Sequence, residues 1–183
     1  MVLKLIEPAK EYLPSVYEAV KEFEANPSEY DVGPIKKIVE AAKDGFKSYF
    51  KEVKDESLGI NLKPNHVASS TYWLVDGNQY IGGFDLRHAL TPNLERIGGH
   101  IAYEIRPSMR RKGFAFEGLK LCLEKAADMG IEKVLITCNS KNEASYGVIL
   151  KAMFAYGGEE IPMIACEKGM ERRVWVWCQK HTV

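Results

Sequence analysis

The chain has 183 residues, 46% of them hydrophobic, and its 25 Lys+Arg balance 25 Asp+Glu. That length suits one domain, residues 1–183, with a core large enough to need neither metals nor disulfides. The apolar content excludes a disordered chain. A net charge near zero gives no general pull toward nucleic acid or anionic membranes, so any anion site must be built locally.

Val2 to Ile6 alternates as a short strand does. Tyr12, Val16, Val20 and Phe23 place a helix over 9–24. Pro27, Gly33 and Pro34 punctuate a loop, and a second amphipathic helix is predicted over 35–54. Thr71–Val75 and 79–86 read as strands joined at the Asp76-Gly77 turn signal. A further strand runs from Gly99 to Ile105 and stops at Pro107. The clearest helix covers 114–129, with Gly130 placed as a C′ glycine. Val134–Cys138 is a continuous apolar run, as in a strand covered on both faces. Ser140 and Glu143 have capping-box spacing before the next helix, and 174–178 is a final strand. This order implies a mixed α/β sheet with helices on both faces.

The four cysteines, Cys122, Cys138, Cys166 and Cys178, form no C-x-x-C pair and sit in apolar stretches, as buried reduced thiols do. His66, His88, His100 and His181 lack the spacing of a zinc site, so no metal is expected. No segment reads as a signal peptide or a membrane span, which makes a cytoplasmic protein the expectation.

The informative segment is Ile105-Arg-Pro-Ser-Met-Arg-Arg-Lys-Gly-Phe-Ala115. A strand ends at a proline, a basic loop follows, and a glycine opens a strong helix. A helix start leaves backbone N–H groups without intrahelical partners and carries a partial positive charge. Together these make an anion site. Gly113 lets the backbone approach a phosphate closely, and Arg110, Arg111 and Lys112 add charge. The other reading of these residues is a solvated basic loop. Gly113-x4-Gly118 has P-loop spacing, but Leu119-Lys120 stands where Lys-Ser/Thr is required. Gly77, Gly82 and Gly83 do not form a G-x-G-x-x-G turn, so triphosphate and dinucleotide readings fail.

Arg110-x-x-Gly113-x-Ala115 resembles the pyrophosphate loop, R/Q-x-x-G-x-G/A, of the GNAT superfamily of N-acetyltransferases. The likeness extends over the flanking strand and helix, the strand at 134–138, and Asn142-x-x-Ser145. It covers residues 70–150 best. Ser70-Thr-Tyr-Trp-Leu-Val, Leu86-Arg-His and Gly98-Gly-His-Ile-Ala-Tyr look like one bacterial subgroup. The resemblance implies a mostly antiparallel central sheet whose fourth and fifth strands splay apart, with acetyl-CoA in the gap. Backbone N–H groups of Arg111, Lys112, Gly113, Phe114, Ala115 and Phe116, beside Arg110, would hold its pyrophosphate. Tyr103 and Ile105 would offer backbone groups to the pantetheine and acetyl carbonyl, and Asn142 and Ser145 would flank the thioester end. The family's tyrosine general acid falls here on Ile149, and the segment from Lys151 to Gly158 spaces the family's usual glycine differently. Tyr146 and Tyr156 are the substitutes on hand, although core packing is their other reading.

An amine with pKa near ~10 must lose a proton before it attacks. Glu104 and His100, four residues apart on one strand face, are the candidate bases. His88 reads as structural or substrate-binding, and Trp73, Trp175 and Trp177 as core. The implied function is acetyl transfer from acetyl-CoA to a primary amine by direct attack. Two rivals remain, a non-catalytic acyl-CoA sensor or interaction module and a nucleic-acid binder using Arg110–Lys112; neutral charge argues against the second. The acceptor is a small-molecule or peptide amine that the sequence does not specify. Residues 25–65 are expected to shape its pocket, and a homodimer is left open.

Overall fold

A computed structural model describes residues 2–28, 30, 33–167 and 169–178; His181 lies outside them. Strands β1 (Leu3–Ile6), β2 (Ser69–Asp76), β3 (Gln79–Arg87) and β4 (Ile101–Ile105) form one sheet in that order. Strands β5 (Lys133–Asn139), β7 (Gly169–Trp177) and β6 (Gly158–Cys166) form a second, with β7 in the middle. Every registered pair is antiparallel.

Helices α5 (Phe114–Asp128) and α6 (Glu143–Tyr156) cover one face of both sheets. There Leu74, Ile81, Phe84, Leu119, Leu123, Val134, Ile136 and Val174 are buried together. Gly118 is a packing residue rather than a phosphate-loop glycine, since a Cβ on it would lie 2.3 Å from the Phe84 ring. Helices α1 (Leu13–Ala25), α2 (Gly33–Lys43) and α3 (Tyr49–Ser57) cover the other face of the first sheet over Trp73, Val75 and Tyr80. Here Phe46, Tyr49, Trp73 and Tyr80 make a run of aromatic contacts. A short helix α4 (Pro92–Arg96), capped by the Thr91 hydroxyl, lies between β3 and β4.

Three expectations are corrected. The helix expected over 35–54 is α2 and α3, because Gly45 and Phe46 turn left-handed at φ 75° and 59°. The Phe46 N–H then closes on Ala41 O at 2.7 Å, a Schellman-type stop that swings its ring into the core. Helix α6 is capped by Asn142, whose side chain accepts the Ser145 N–H, and not by Ser140. Trp73 is fully buried as expected, but Trp177 is exposed and stands with Trp175 under the Lys133 ammonium.

Candidate active site

Strand β4, helix α5 and strand β5 form a β-α-β unit, which sets β4 and β5 running the same way. They touch at one end only. His100 N–H donates to Leu135 O at 2.7 Å, and Leu135 N–H donates to the His100 imidazole Nδ1 at 2.9 Å. A Cβ at Gly99 would stand 2.3 Å from Leu135 O, so only glycine admits this approach. Beyond this vertex no ladder joins the strands among the described residues. At the far end the Tyr103 hydroxyl reaches the Ser145 hydroxyl, 2.9 Å away, at the head of α6.

The pairing with β3 decides which groups line the gap. Arg87 N–H donates to His100 O and Arg106 N–H to Ile81 O. Antiparallel alternation therefore commits Ala102 and Glu104 to β3 and turns the backbone groups of Tyr103 and Ile105 into the gap. These are the two residues named from the sequence. Ile105 O is met by the Arg110 Nε at 3.0 Å.

The loop from β4 to α5 ends at Arg111 (φ 62°) and Gly113 (φ 86°). Gly113 is the N-cap and supplies no side-chain bond, and a Cβ there would meet nothing within 4 Å. Phe116 and Glu117 N–H both return to Gly113 O. The Phe116 N–H is thus engaged within the first turn of α5. Among the described residues the N–H groups of Arg111, Lys112, Gly113, Phe114 and Ala115 engage no acceptor, so they can serve an anion at the helix head. Arg110 is placed differently from expectation. Its guanidinium turns back to Glu104 at 2.9 Å and lies over the Phe23 ring. Lys112 folds onto Ser108 O.

The base of this loop is anchored by groups that no sequence pattern singles out. Arg106 is 4% exposed. Its guanidinium pairs with Glu22 of α1 through Nε at 3.1 Å and through Nη2, and donates to Ser15 Oγ and Tyr80 O. Glu22 also accepts the Ser108 N–H and hydroxyl, both at 2.9 Å. Burial works against the Glu22 charge, yet the Arg106 and Ser108 bonds outweigh it and hold its pKa at about 2. The only sequence signal was an Arg ending a strand, with its partner 84 residues away.

Burial, with the Arg87 charge nearby, pushes the His100 pKa down to about 4. Since Nδ1 accepts from Leu135, the ring proton sits on Nε2, and neither nitrogen offers a lone pair to an amine. His100 is therefore the clamp of the vertex, not a base. Glu104 is largely buried on the opposite face of β4 from Tyr103 and is engaged by Arg110. His88 bonds Ser70. Ile149 is fully buried. Tyr146 packs at the edge of the core with its hydroxyl on Glu160 at 3.0 Å, and Tyr156 is buried. Asn142 spends its Oδ1 on Ser145 N–H. Burial first, with Glu171, pushes the Cys138 thiol up to about 12, far from a nucleophile.

The sequence pattern of the acetyltransferase (GNAT) domain matches residues 3–155. The chain belongs to the GNAT acetyltransferase family. GNAT structures share its fold. The ribosomal L7/L12 alpha-N-protein acetyltransferase RimL, solved with coenzyme A, superposes with a TM-score of 0.61 at 13% identity over 97% of this chain and 94% of that one. The ribosomal-protein-S5-alanine acetyltransferase of Vibrio fischeri gives 0.64 at 11% over 99% and 94%. The spermidine N-acetyltransferase SpeG of Vibrio cholerae gives 0.60 at 13% over 97% and 95%. No curated protein sequence matches the chain. Acetyl-CoA is thus the co-substrate of an acetyltransferase fold. The free N–H row, the open space at Gly113 and the unpaired β4 edge suit a pyrophosphate and a pantetheine chain. Among the described residues no group of three His, Cys, Asp or Glu could hold a metal, and no helix is long and apolar enough to cross a membrane.

Proposed function

We propose that this GNAT protein acetylates a primary amine by direct attack, without an acetyl-enzyme. The observation that carries the reading is the row of unengaged N–H groups from Arg111 to Ala115 at the mouth of the β4–β5 gap. Those groups hold the pyrophosphate, with Arg111 and Lys112 adding charge. Tyr103 and Ile105 bond the pantetheine along the β4 edge, where Arg110 yields Ile105 O. Ser145 and Asn142 border the thioester end. Acetyl-CoA supplies the activated acetyl group. Glu104 accepts the amine's proton, a step coupled to loosening of its Arg110 pair. No tyrosine stands at 149, and none is required, because a thiol of pKa about 8.5 leaves tolerably as thiolate. Solved relatives that act on ribosomal-protein N-termini or on spermidine favour an amine acceptor, and residues 25–65 shape its side of the site.

The buried Ile149 also favours a second reading, a non-catalytic acyl-CoA sensor. Calorimetric titration with acetyl-CoA, followed by an amine screen for thiol release, separates the two. Heat without turnover supports the sensor. No heat at millimolar acetyl-CoA removes both readings. Glu104→Gln should keep acetyl-CoA affinity and lose about 10²–10⁴-fold in turnover, with the loss shrinking toward the amine's own pKa.

A further inference from the structure

Three fully charged side chains are buried among the described residues: Asp85, Arg106 and Glu171. Two are compensated. Asp85 has the Lys37 ammonium at 3.3 Å and the Thr71 hydroxyl at 2.7 Å. Arg106 has Glu22. Glu171 differs. It is 8% exposed, and its hydrogen bond is from the neutral Thr137 hydroxyl, at 2.8 Å. Among the described residues no cation stands within ion-pair distance. Arg173, on the same face of β7, turns to Pro162 O. Arg172, on the opposite face, is paired with Glu143. A buried carboxylate without a cation is costly, and folded chains keep one where it serves a ligand.

Its location indicates which ligand. Glu171 pairs across the sheet with Asn139, at the end of β5, the strand that walls the gap. It shares a face with Thr137, away from the α5–α6 core that holds Ile136 and Cys138. Helices α1 to α3 pack mainly on the first sheet. The same Thr137 oxygen accepts the Gly98 N–H from the loop entering β4, which ties Glu171 to the strand that walls the gap.

We propose that Glu171 receives the protonated amine of the acetyl acceptor, as the group that selects a cationic substrate. This rests on the amine-acetylation reading above. The ammonium supplies the missing countercharge, and Thr137 keeps the carboxylate aimed. Burial raises the carboxyl pKa, opposed in part by the Thr137 bond, in keeping with a site awaiting a positive charge. Glu104, already engaged by Arg110, lacks that vacancy for charge.

The test is Glu171→Gln, which keeps an oxygen for Thr137 and removes the charge. In the free protein at pH 7.5 it should raise Tm by about 2 °C or more, since an uncompensated charge disappears. A residue that only held β5 to β7 would lower it. Thermal protection by spermidine, tyramine and the tripeptide Ser-Ala-Ala is then measured with acetyl-CoA bound. At least one should protect the wild type. In Glu171→Gln that protection should vanish and KM for that amine rise about tenfold or more, with acetyl-CoA affinity unchanged. Glu159→Gln, which removes an exposed carboxylate from neighbouring β6, should change neither reading. A lowered Tm, an unchanged KM, or no protection of the wild type by any of the three overturns the assignment. A wild type that acetylates one of them while Glu171→Gln keeps its KM sinks this inference and leaves the amine reading standing. A wild type that acetylates no amine sinks both.

Discussion

Glu22→Gln tests whether the pyrophosphate loop is fixed from beneath by α1. The glutamine retains an oxygen for Ser108 but leaves the 4%-exposed Arg106 guanidinium without a countercharge. Removing one partner of a buried pair costs about 3–5 kcal/mol. Glu22 is a quarter exposed, which puts the expected loss nearer 2–3 kcal/mol. For a chain of this length that is a Tm drop of roughly 5–10 °C. The pH signature is specific. The Glu22 carboxyl titrates at about 2 in the folded state against an ordinary value of 4.5. The unfolded chain therefore binds its proton first. The stabilisation is complete above pH 4.5 and fades as pH falls toward 2. Urea unfolding of wild type and variant between pH 2 and 7 should show curves that converge at the acid end. Because Ser108 opens the loop, acetyl-CoA affinity should fall as well. A Tm within about 1 °C of wild type, or a stability gap that is the same at pH 2.5 and pH 7, would refute the clamp.

Gly113→Ala should weaken acetyl-CoA binding in calorimetry and also destabilise the fold by about 1 kcal/mol, because φ 86° disfavours any Cβ even where nothing else obstructs it. Gly113→Val should be worse on both counts, and normal binding by either variant would move the pyrophosphate elsewhere. His100→Gln should flatten the fall in stability between pH 6.5 and 4. In the wild type the unfolded histidine charges near 6.5 while the folded one resists to about 4, so stability is lost as pH drops through that window, by up to about 3 kcal/mol. A wild-type profile flat across it would refute the buried neutral imidazole.

The proposed site was legible where a local rule applied. Gly113 stood out because a glycine between a basic loop and a strong helix has few other uses, and its φ of 86° is one that favours glycine. Tyr103 and Ile105 could be paired from the sequence only through the family resemblance, since strand alternation names a face but not the neighbour. Elements failed where long-range packing intervened. Helical periodicity ran on through Phe46 because its apolar side chain fits the pattern, although its backbone is left-handed and ends α2. Arg110 reads as a phosphate ligand by position, and only the fold shows its guanidinium on Glu104 and Ile105 O. Glu171 could not be found at all. It lies in a charged run, Glu171-Arg-Arg173, that reads as a solvated strand edge until β7 proves to be the central strand of its sheet.

His100 also explains why the gap opens where it does. In a parallel ladder the Leu135 N–H would seek the Gly98 carbonyl, two residues before His100, but the Arg87 guanidinium occupies that oxygen. The imidazole Nδ1 takes that hydrogen bond instead, while the His100 carbonyl goes to Arg87 on the other side. A side chain thus stands in for a backbone acceptor at the vertex, the next acceptor forward, His100 O, is committed to Arg87, and Gly99 lets the chains come close enough for the exchange. Past that point the backbone of β4 is committed to β3 at alternate residues only. Tyr103 and Ile105 are left facing an edge that water or a polar chain must satisfy. Stacking of Tyr103 on Phe84, with its hydroxyl tied to Ser145, holds the far end at side-chain reach rather than at ladder distance. The cleft is therefore maintained by one histidine at its base and one tyrosine at its top. A charge on the imidazole would cancel the Leu135 bond, because a protonated Nδ1 can no longer accept it.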